Sequence, residues 1–339
     1  MGRDGAKQNW LKLRYSPSGE GLIKEGHWLL VFFKELMETH LPVMPKEVIK
    51  FLAPQTNENF IDATIGFGGH SERILKKTAP FGKLLAIDQD IEAINFAQKK
   101  LKKFSSRVDF IKENFTELGL ICRSWKVDHL DGILFDLGVS TYQLLAPKRG
   151  FSFQDFPQGK NNQKEVSLDM RMSPDTQSLT AAKIVNSWSK KELKKLLQRL
   201  GEEPYAGKIA SAIINERNHQ PIIIASHLVE VIKRALPPKY RHKRQKHFAT
   251  STFRALRMAV NRELEVLESG LKQAVPLLSQ NGRLVVISFH SLEDRIVKNF
   301  FRENSFLNVL TPKPVTASEK EIAQNPRARS GKLRAAIKL

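Results

Sequence analysis

Apolar and polar positions along the 339-residue chain follow two alternating rhythms. Short apolar, β-favouring runs occur at 60–65, 83–87, 107–111, 130–135 and 283–289. Helix-like spacing separates them. Ile74 and Leu75 follow the first run; Ile91, Ile94, Phe96 and Ala97 follow the second. A helix starts within 113–118, and Phe253, Leu256, Val260, Leu264, Leu267 and Leu271 space out one long helix over 252–271. A further helix is predicted at 46–52, before Pro54, and another over 292–302. Strands alternating with helices predict an α/β fold with a parallel, doubly wound sheet. Its binding crevice lies at the carboxyl ends of the strands, where Asp62, Asp88, Phe115 and Asp136 fall.

The alternation breaks in the middle. Residues 142–172 are loop-like, rich in Gly, Pro, Asn and Gln. From 179 to 236 the spacing is helical throughout, with stripes at Ala181, Ile184, Val185, Trp188, at Leu193, Leu196, Leu197, Leu200 and at Tyr205, Ile209, Ile213. Such stripes are core positions far more often than cofactor contacts. The chain therefore divides into an appended extension (1–36), a first α/β part (37–142), a helical insertion (143–250) and a second α/β part (251–339) ending in a basic tail that begins as a loop.

The first strand runs into Gly66-Phe67-Gly68-Gly69-His70, and a helix pattern follows at once. Glycines permit a sharp turn and close approach of a ligand to backbone. A dinucleotide fingerprint needs a glycine at the sixth position from Gly66, but Ser71 stands there. The second strand ends in Asp88, where a carboxylate can accept both hydroxyls of a ribose; a capping Asp is the plainer alternative. The combination suggests a nucleoside ligand that is not a dinucleotide, with S-adenosylmethionine the best match.

Charge adds a partner. With 55 Lys+Arg against 35 Asp+Glu, the formal net charge is +20, which suggests a polyanion, most simply nucleic acid. The run 239–247 suits phosphates, with Arg241, Lys243, Arg244 and Lys246 as candidate contacts; a solvated loop is the bland alternative. Cys122 is the only cysteine, so neither an intrachain disulfide nor a cysteine zinc site is expected, and a cytoplasmic location is compatible. No apolar run reaches the roughly 18–20 residues that span a bilayer.

The motifs DATIGFGGHS (62–71), AIDQD (86–90), DGILFDLGVST (131–141), RGFSF (149–153), SLDMRM (167–172), GEEPYAGKIASAI (201–213), TFRALRMAVNRELE (252–265), GRLVVISFHSLEDRIVK (282–298) and NPRARSGKLR (325–334) resemble those of the RsmH (MraW) family. The resemblance runs from His40 to about Ala336. It implies a class I, Rossmann-like methyltransferase domain with an inserted helical domain. The implied activity is S-adenosylmethionine-dependent methylation of the N4 amine of a cytidine in the decoding region of small-subunit rRNA. It also implies a substrate within the small-subunit particle, no membrane, and leaves a homodimer open. Matched residue by residue, Gly68, Gly69, His70, Asp88, Phe115, Asp136 and Gln143 would hold the cofactor, with Phe115 by the adenine; no metal is implied. Val166-Ser167 replace the family's Gly-Pro before LDMRM, after a longer loop at 154–165, and Phe248, Ser251 and Arg254 depart from its HPATRTFQALR.

The exocyclic amine of cytosine is a poor nucleophile because its lone pair is delocalised into the ring. Accepting its N–H hydrogen bonds localises that pair, and alignment supplies much of the rest. The Asp/Asn/Ser-Pro-Pro-aromatic motif of other amino-methyltransferases is absent. Asp136-Leu137-Gly138-Val139-Ser140 stands in its place, so Asp136 is the candidate amine acceptor, with a purely loop-orienting role about as plausible. His290 and Asp294 are expected to tie strand to helix. Arg327 and Arg329 are candidates to bind phosphate or to close over the site. Rival readings are a methyltransferase for another RNA or a protein, and a non-catalytic RNA-binding assembly factor.

Overall fold

The first strand, β1 (Phe60–Asp62), lies between β2 (Leu84–Asp88) and β4 (Gly132–Asp136), parallel to both. β3 (Val108–Lys112) adds outside β2, and β5 (Arg283–Ser288) outside β4, again parallel. The chain thus winds outward through β2 and β3, then returns to the other flank of β1. The reversal between β1 and β4 is the switch point where an open α/β sheet has its crevice. Antiparallel β8 (Lys332–Lys338) follows β5, and pairs with β6 (Leu307–Val309) and β7 (Val315–Thr316). The computed structural model describes residues 41–139, 149–151, 166–243 and 247–339, which belong to one compact unit, Leu41–Leu339.

Strand side chains alternate between two cores. Phe60, Leu134, Val285 and Ile287 face one; Ile61, Ile133, Phe135, Leu284 and Val286 face the other. Burial on both faces makes the strands read as near-continuous apolar runs. The first core is covered by helices α1 (Pro45–Leu52), α2 (Gly69–Lys77) and α3 (Ile91–Lys100). The second is covered by α4 (Leu118–Ser124), by a long helix after the insertion and by a helix after β5.

Between β4 and β5 stand α5 (Ala181–Ser187), α6 (Lys190–Arg199), α7 (Ala206–Arg217), α8 (Ala225–Ala235), the short α9 (Pro238–Lys243) and α10 (Thr250–Asn261). Ile184, Leu197, Ile209, Ile213, Leu228 and Ile232 form a third core, joined by Leu168, Met170 and Met172. Phe253, Leu256 and Val260 of α10 belong to it too, so the helical core runs past residue 250.

One expectation changes. The helix predicted over 252–271 is two helices, α10 and α11 (Glu263–Leu277), broken at Arg262 with φ 50°. Asn261 explains the break: its amide donates to Met170 O (2.8 Å) and accepts from Met172 N (2.8 Å), committing the helix end to the 170–172 strap. The basic tail begins as a loop, as expected, with a 3-10 turn at 326–330, and then becomes β8 from Lys332, with Leu333, Ala335 and Ala336 buried. Its two alanines have little β propensity. Its buried Arg334 is matched by Asp294 of α12 (Ser291–Glu303), at 2.6 and 3.2 Å. The extension 1–36 lies outside the described residues. Among those described, no helix is long and apolar enough to cross a membrane.

Candidate active site

After β1 the chain crosses the carboxyl edge of the sheet. Ala63 N donates to Leu134 O and Ile65 N to Ile87 O, both at 2.9 Å, so the loop is laced to the strands on either side. Gly68 has φ 72°, which favours glycine, and precedes the first residue of α2. A Cβ at Gly69 would lie 3.1 Å from Pro42 Cγ, tighter than ordinary contact.

Three acids stand at adjacent strand ends. Asp62 is buried beneath the loop; Ser71 Oγ donates to its Oδ2 at 2.6 Å and Thr64 N to its Oδ1 at 3.2 Å. Burial pushes its carboxyl up to about 6 despite these bonds. Asp88, half-buried at the tip of β2, accepts from Gly66 N (3.1 Å) and Asp90 N (2.9 Å), clamping the glycine loop to the strand. Burial and neighbouring acids push its carboxyl up to about 7. Asp136 ends β4; its N–H donates to Thr64 Oγ1 at 2.6 Å, and its Oδ1 is buried without a hydrogen-bond partner. His70 Nε2 lies 3.5 Å from Asp136 Oδ2, and neither ring nitrogen of this buried histidine has a hydrogen-bond partner.

At the end of β3, Phe115 opens a 3-10 turn (Phe115–Glu117). Its ring meets Phe135 edge-on at 5.2 Å between centroids, and a Cβ at Gly270 would lie 2.5 Å from it. The structure therefore brings Gly68, Gly69, His70, Asp88 and Asp136 to one edge, with Phe115 beside them. Gln143 lies outside the described residues, as do Arg244, Lys246 and the side chain of Lys243. Arg241 is half-buried, and Arg329 is exposed. Arg327 turns toward the crevice instead: its Nη2 donates to Val139 O at 3.4 Å.

The helical core is strapped to this edge. Arg149 reaches Asp90 Oδ2 (3.0 Å) and Met172 O (2.9 Å), and Gln89 Nε2 lies 3.0 Å from Met172 Sδ. Asp90 also caps α3 through Glu92 N. Thus AIDQD, Arg149 and SLDMRM meet in one joint. Behind β5, His290 and Glu293 form a reciprocal cap on α12, with Phe289 N donating to Glu293 Oε2 at 2.8 Å. Arg257 grips both oxygens of nearby Glu263 at 2.8 Å. Asp62, Ser71 and Thr64 carry no candidate role in the sequence reading. A strand-terminal Asp nine residues before a Ser was the available signal.

The model of the MraW methylase family matches residues 37–339. A protein of Thermotoga neapolitana called ribosomal RNA small subunit methyltransferase H is 46% identical over 299 residues, covering 88% of this chain and 95% of that one. The protein of the same name from Kosmotoga olearia is 44% identical over 310 residues, covering 90% and 99%. That from Pelobacter propionicus is 44% identical over 319 residues, covering 88% and 98%.

Proposed function

The chain belongs to the MraW methylase family, and from that premise we propose that it methylates the N4 amine of a cytidine in the decoding region of small-subunit rRNA. At the coarser level it is an S-adenosylmethionine-dependent methyltransferase of small-subunit rRNA. The finer reading rests on one observation above all. Two acids, Asp88 and Asp136, end parallel strands on either side of the glycine loop, and the second keeps a buried oxygen with no partner.

These residues fit the methyl donor. Asp88 offers a carboxylate to ribose hydroxyls, and the Gly68-Gly69 backbone admits close approach. Phe115 would lie by the adenine, and His70 would help hold the donor. Gln143 completes the proposed set. S-adenosylmethionine supplies an electrophilic methyl group on a sulfonium. Asp136 accepts an N–H of the cytosine amine, so that the amine lone pair turns toward the methyl, and stabilises the positive charge that develops on N4. The base must leave its stack to reach this edge, at a cost of a few kcal/mol, less where the RNA is single-stranded.

The helical insertion, 143–250, would carry the RNA, with Arg241, Lys243, Arg244 and Lys246 near its end and Arg329 on the tail touching phosphate. The substrate in this reading is the assembled or assembling small-subunit particle in the cytoplasm. The test is methylation of purified small subunits lacking the modification, followed by nucleoside mass spectrometry of the rRNA. N4-methylcytidine at one decoding-region position is the expected product. A methyl group on another atom, or none on this RNA, refutes the finer reading.

A further inference from the structure

His70 enters the crevice in the first turn of α2, on a well-fastened stretch. Ser71 Oγ donates to Asp62 Oδ2 at 2.6 Å, tying the start of the helix to the end of β1. Gly69 lies so close to Pro42 that a Cβ would come within 3.1 Å of its Cγ. The imidazole is buried, and its Nε2 lies 3.5 Å from Asp136 Oδ2. Asp136 is fixed from its own side, because its N–H donates to Thr64 Oγ1 at 2.6 Å. Two side chains on separately anchored elements therefore meet at the end of β4.

The two oxygens of this carboxylate are not equivalent. Oδ2 faces the ring, whereas Oδ1 is buried with no hydrogen-bond partner. Asp62, the other acid near His70, commits Oδ2 to Ser71 and Oδ1 to Thr64 N. His290, also buried, is committed to its own helix cap: its Nδ1 accepts from Glu293 N at 3.3 Å, and its Nε2 lies 3.2 Å from Glu293 Oε1. His70 has no such commitment, since neither of its ring nitrogens has a hydrogen-bond partner. A buried polar group left unsatisfied is costly, and the acid 3.5 Å away is the group that can satisfy it. Contacts of this kind commonly sit long in the free enzyme and tighten once substrate binds.

We infer that His70 is a positioning residue for methyl transfer: an Nε2–H donated to Asp136 Oδ2 sets the turn of the carboxylate, so that Oδ1 is the oxygen presented to the substrate amine. The inference rests on Asp136 being the amine acceptor. A carboxylate free to rotate would offer either oxygen in many orientations, and orientation is what a poor nucleophile needs. The task is compatible with a place beside the methyl donor. The first N–H groups of a helix have no intrahelical partner, so the backbone of Gly69 and His70 can hold the donor while the imidazole serves the acid.

The test compares His70→Leu, which keeps bulk and removes the donor, with His70→Gln, whose amide can donate from near the place of Nε2. Asp136→Asn and the His70→Leu/Asp136→Asn double variant complete the set. Heteronuclear NMR of the ring nitrogens in the unsubstituted protein reports, without any turnover, which of them carries a proton. A proton on Nε2 is expected. A bare Nε2 overturns the inference, and this measurement decides even where His70→Leu fails to fold. Single-turnover methylation of small subunits is then followed at saturating cofactor, with cofactor affinity and thermal melting measured alongside. His70→Leu should slow turnover at least about tenfold, short of the roughly hundredfold that a direct partner supplies, with cofactor affinity and melting near normal. His70→Gln should recover most of the rate. The double variant should be no slower than Asp136→Asn, because the two residues act as one unit. If the His70→Leu loss multiplies in full on the Asp136→Asn background, His70 acts independently and the inference falls. If cofactor affinity falls as far as turnover, the ring holds the donor instead. Each of these failures leaves the acceptor reading standing. Normal turnover in Asp136→Asn removes that reading and this inference with it, whatever His70→Leu does.

Discussion

At the scale of single residues, burial draws Asp88 toward its protonated form, whereas its proposed task needs the carboxylate. A carboxylate accepts through both oxygens, whereas protonation turns one of them into a donor, so only the ionised form accepts both ribose hydroxyls. With Asp88 pushed up to about 7, cofactor binding below that pH should expel a proton. Affinity should therefore rise with pH through about 7 and level off above it. Calorimetry in two buffers of different ionisation heat reads the released proton directly, and Asp88→Asn should abolish the release. The stability of the free protein should follow the opposite trend. Asp62 and Asp88 are raised relative to the unfolded chain, so the native state binds more protons between about pH 4 and 7. Their contribution is most favourable below that window and is lost as pH rises through the two folded values. Asp136→Asn keeps the shape and one acceptor oxygen, but loses the charge and turns an NH₂ toward the substrate amine. Turnover should fall on the order of a hundredfold, while cofactor affinity stays near normal. Single-turnover rates beside direct cofactor titration separate the two. The glycine loop, Asp88 and Asp136 were legible because each closes a local apolar run. Arg327 was legible as a candidate, but its contact was not: the carbonyl it meets lies 188 residues away, and no local pattern encodes that distance.

At the scale of elements, the inner strands of the parallel sheet were readable because they are buried on both faces, while the outer β3 keeps Asp109 and Lys112 exposed. The break between α10 and α11 was not, since apolar spacing continues through it. What ends α10 is a polar contact, Asn261 with the backbone of Met170 and Met172. Asn261→Ala leaves two buried backbone groups without partners, at about 1–3 kcal/mol each. Denaturant unfolding should show a loss of about 2 kcal/mol or more, and turnover should drop as the strap to Asp90 loosens. Helix α6 carries its own expectation. It buries Leu193, Leu196 and Leu197, and exposes Lys190, Lys191, Lys194, Lys195 and Arg199. Its one acid, Glu192, is committed to a capping box with Ser189. Replacing the four lysines by Gln should weaken binding to small subunits and flatten the salt slope by about 0.7–0.9 for each phosphate the helix no longer neutralises. An unchanged slope would leave this face a solvated one.

At the scale of the whole molecule, the sheet joins segments far apart in the chain. The edge that bears Asp136 is propped by Leu137 N donating to Ile287 O, across the entire helical region. Beyond β5 the order is stranger still, because β8 lies between β5 and β6 although both precede it in the chain. Synthesis runs from the N-terminus, so β5 and β6 emerge with open edges and wait for a strand not yet made. Open edges template pairing with other chains, and incomplete folds are aggregation-prone for that reason. Ribosome-stalled chains ending just before Lys332 should be cut readily by protease in the β5–β6 region, whereas chains stalled far enough downstream to expose β8 should resist. A methyltransferase of rRNA would then be one whose own birth leaves a sheet unfinished, exposed to chaperones and proteases, until its eighth strand arrives to fill the gap.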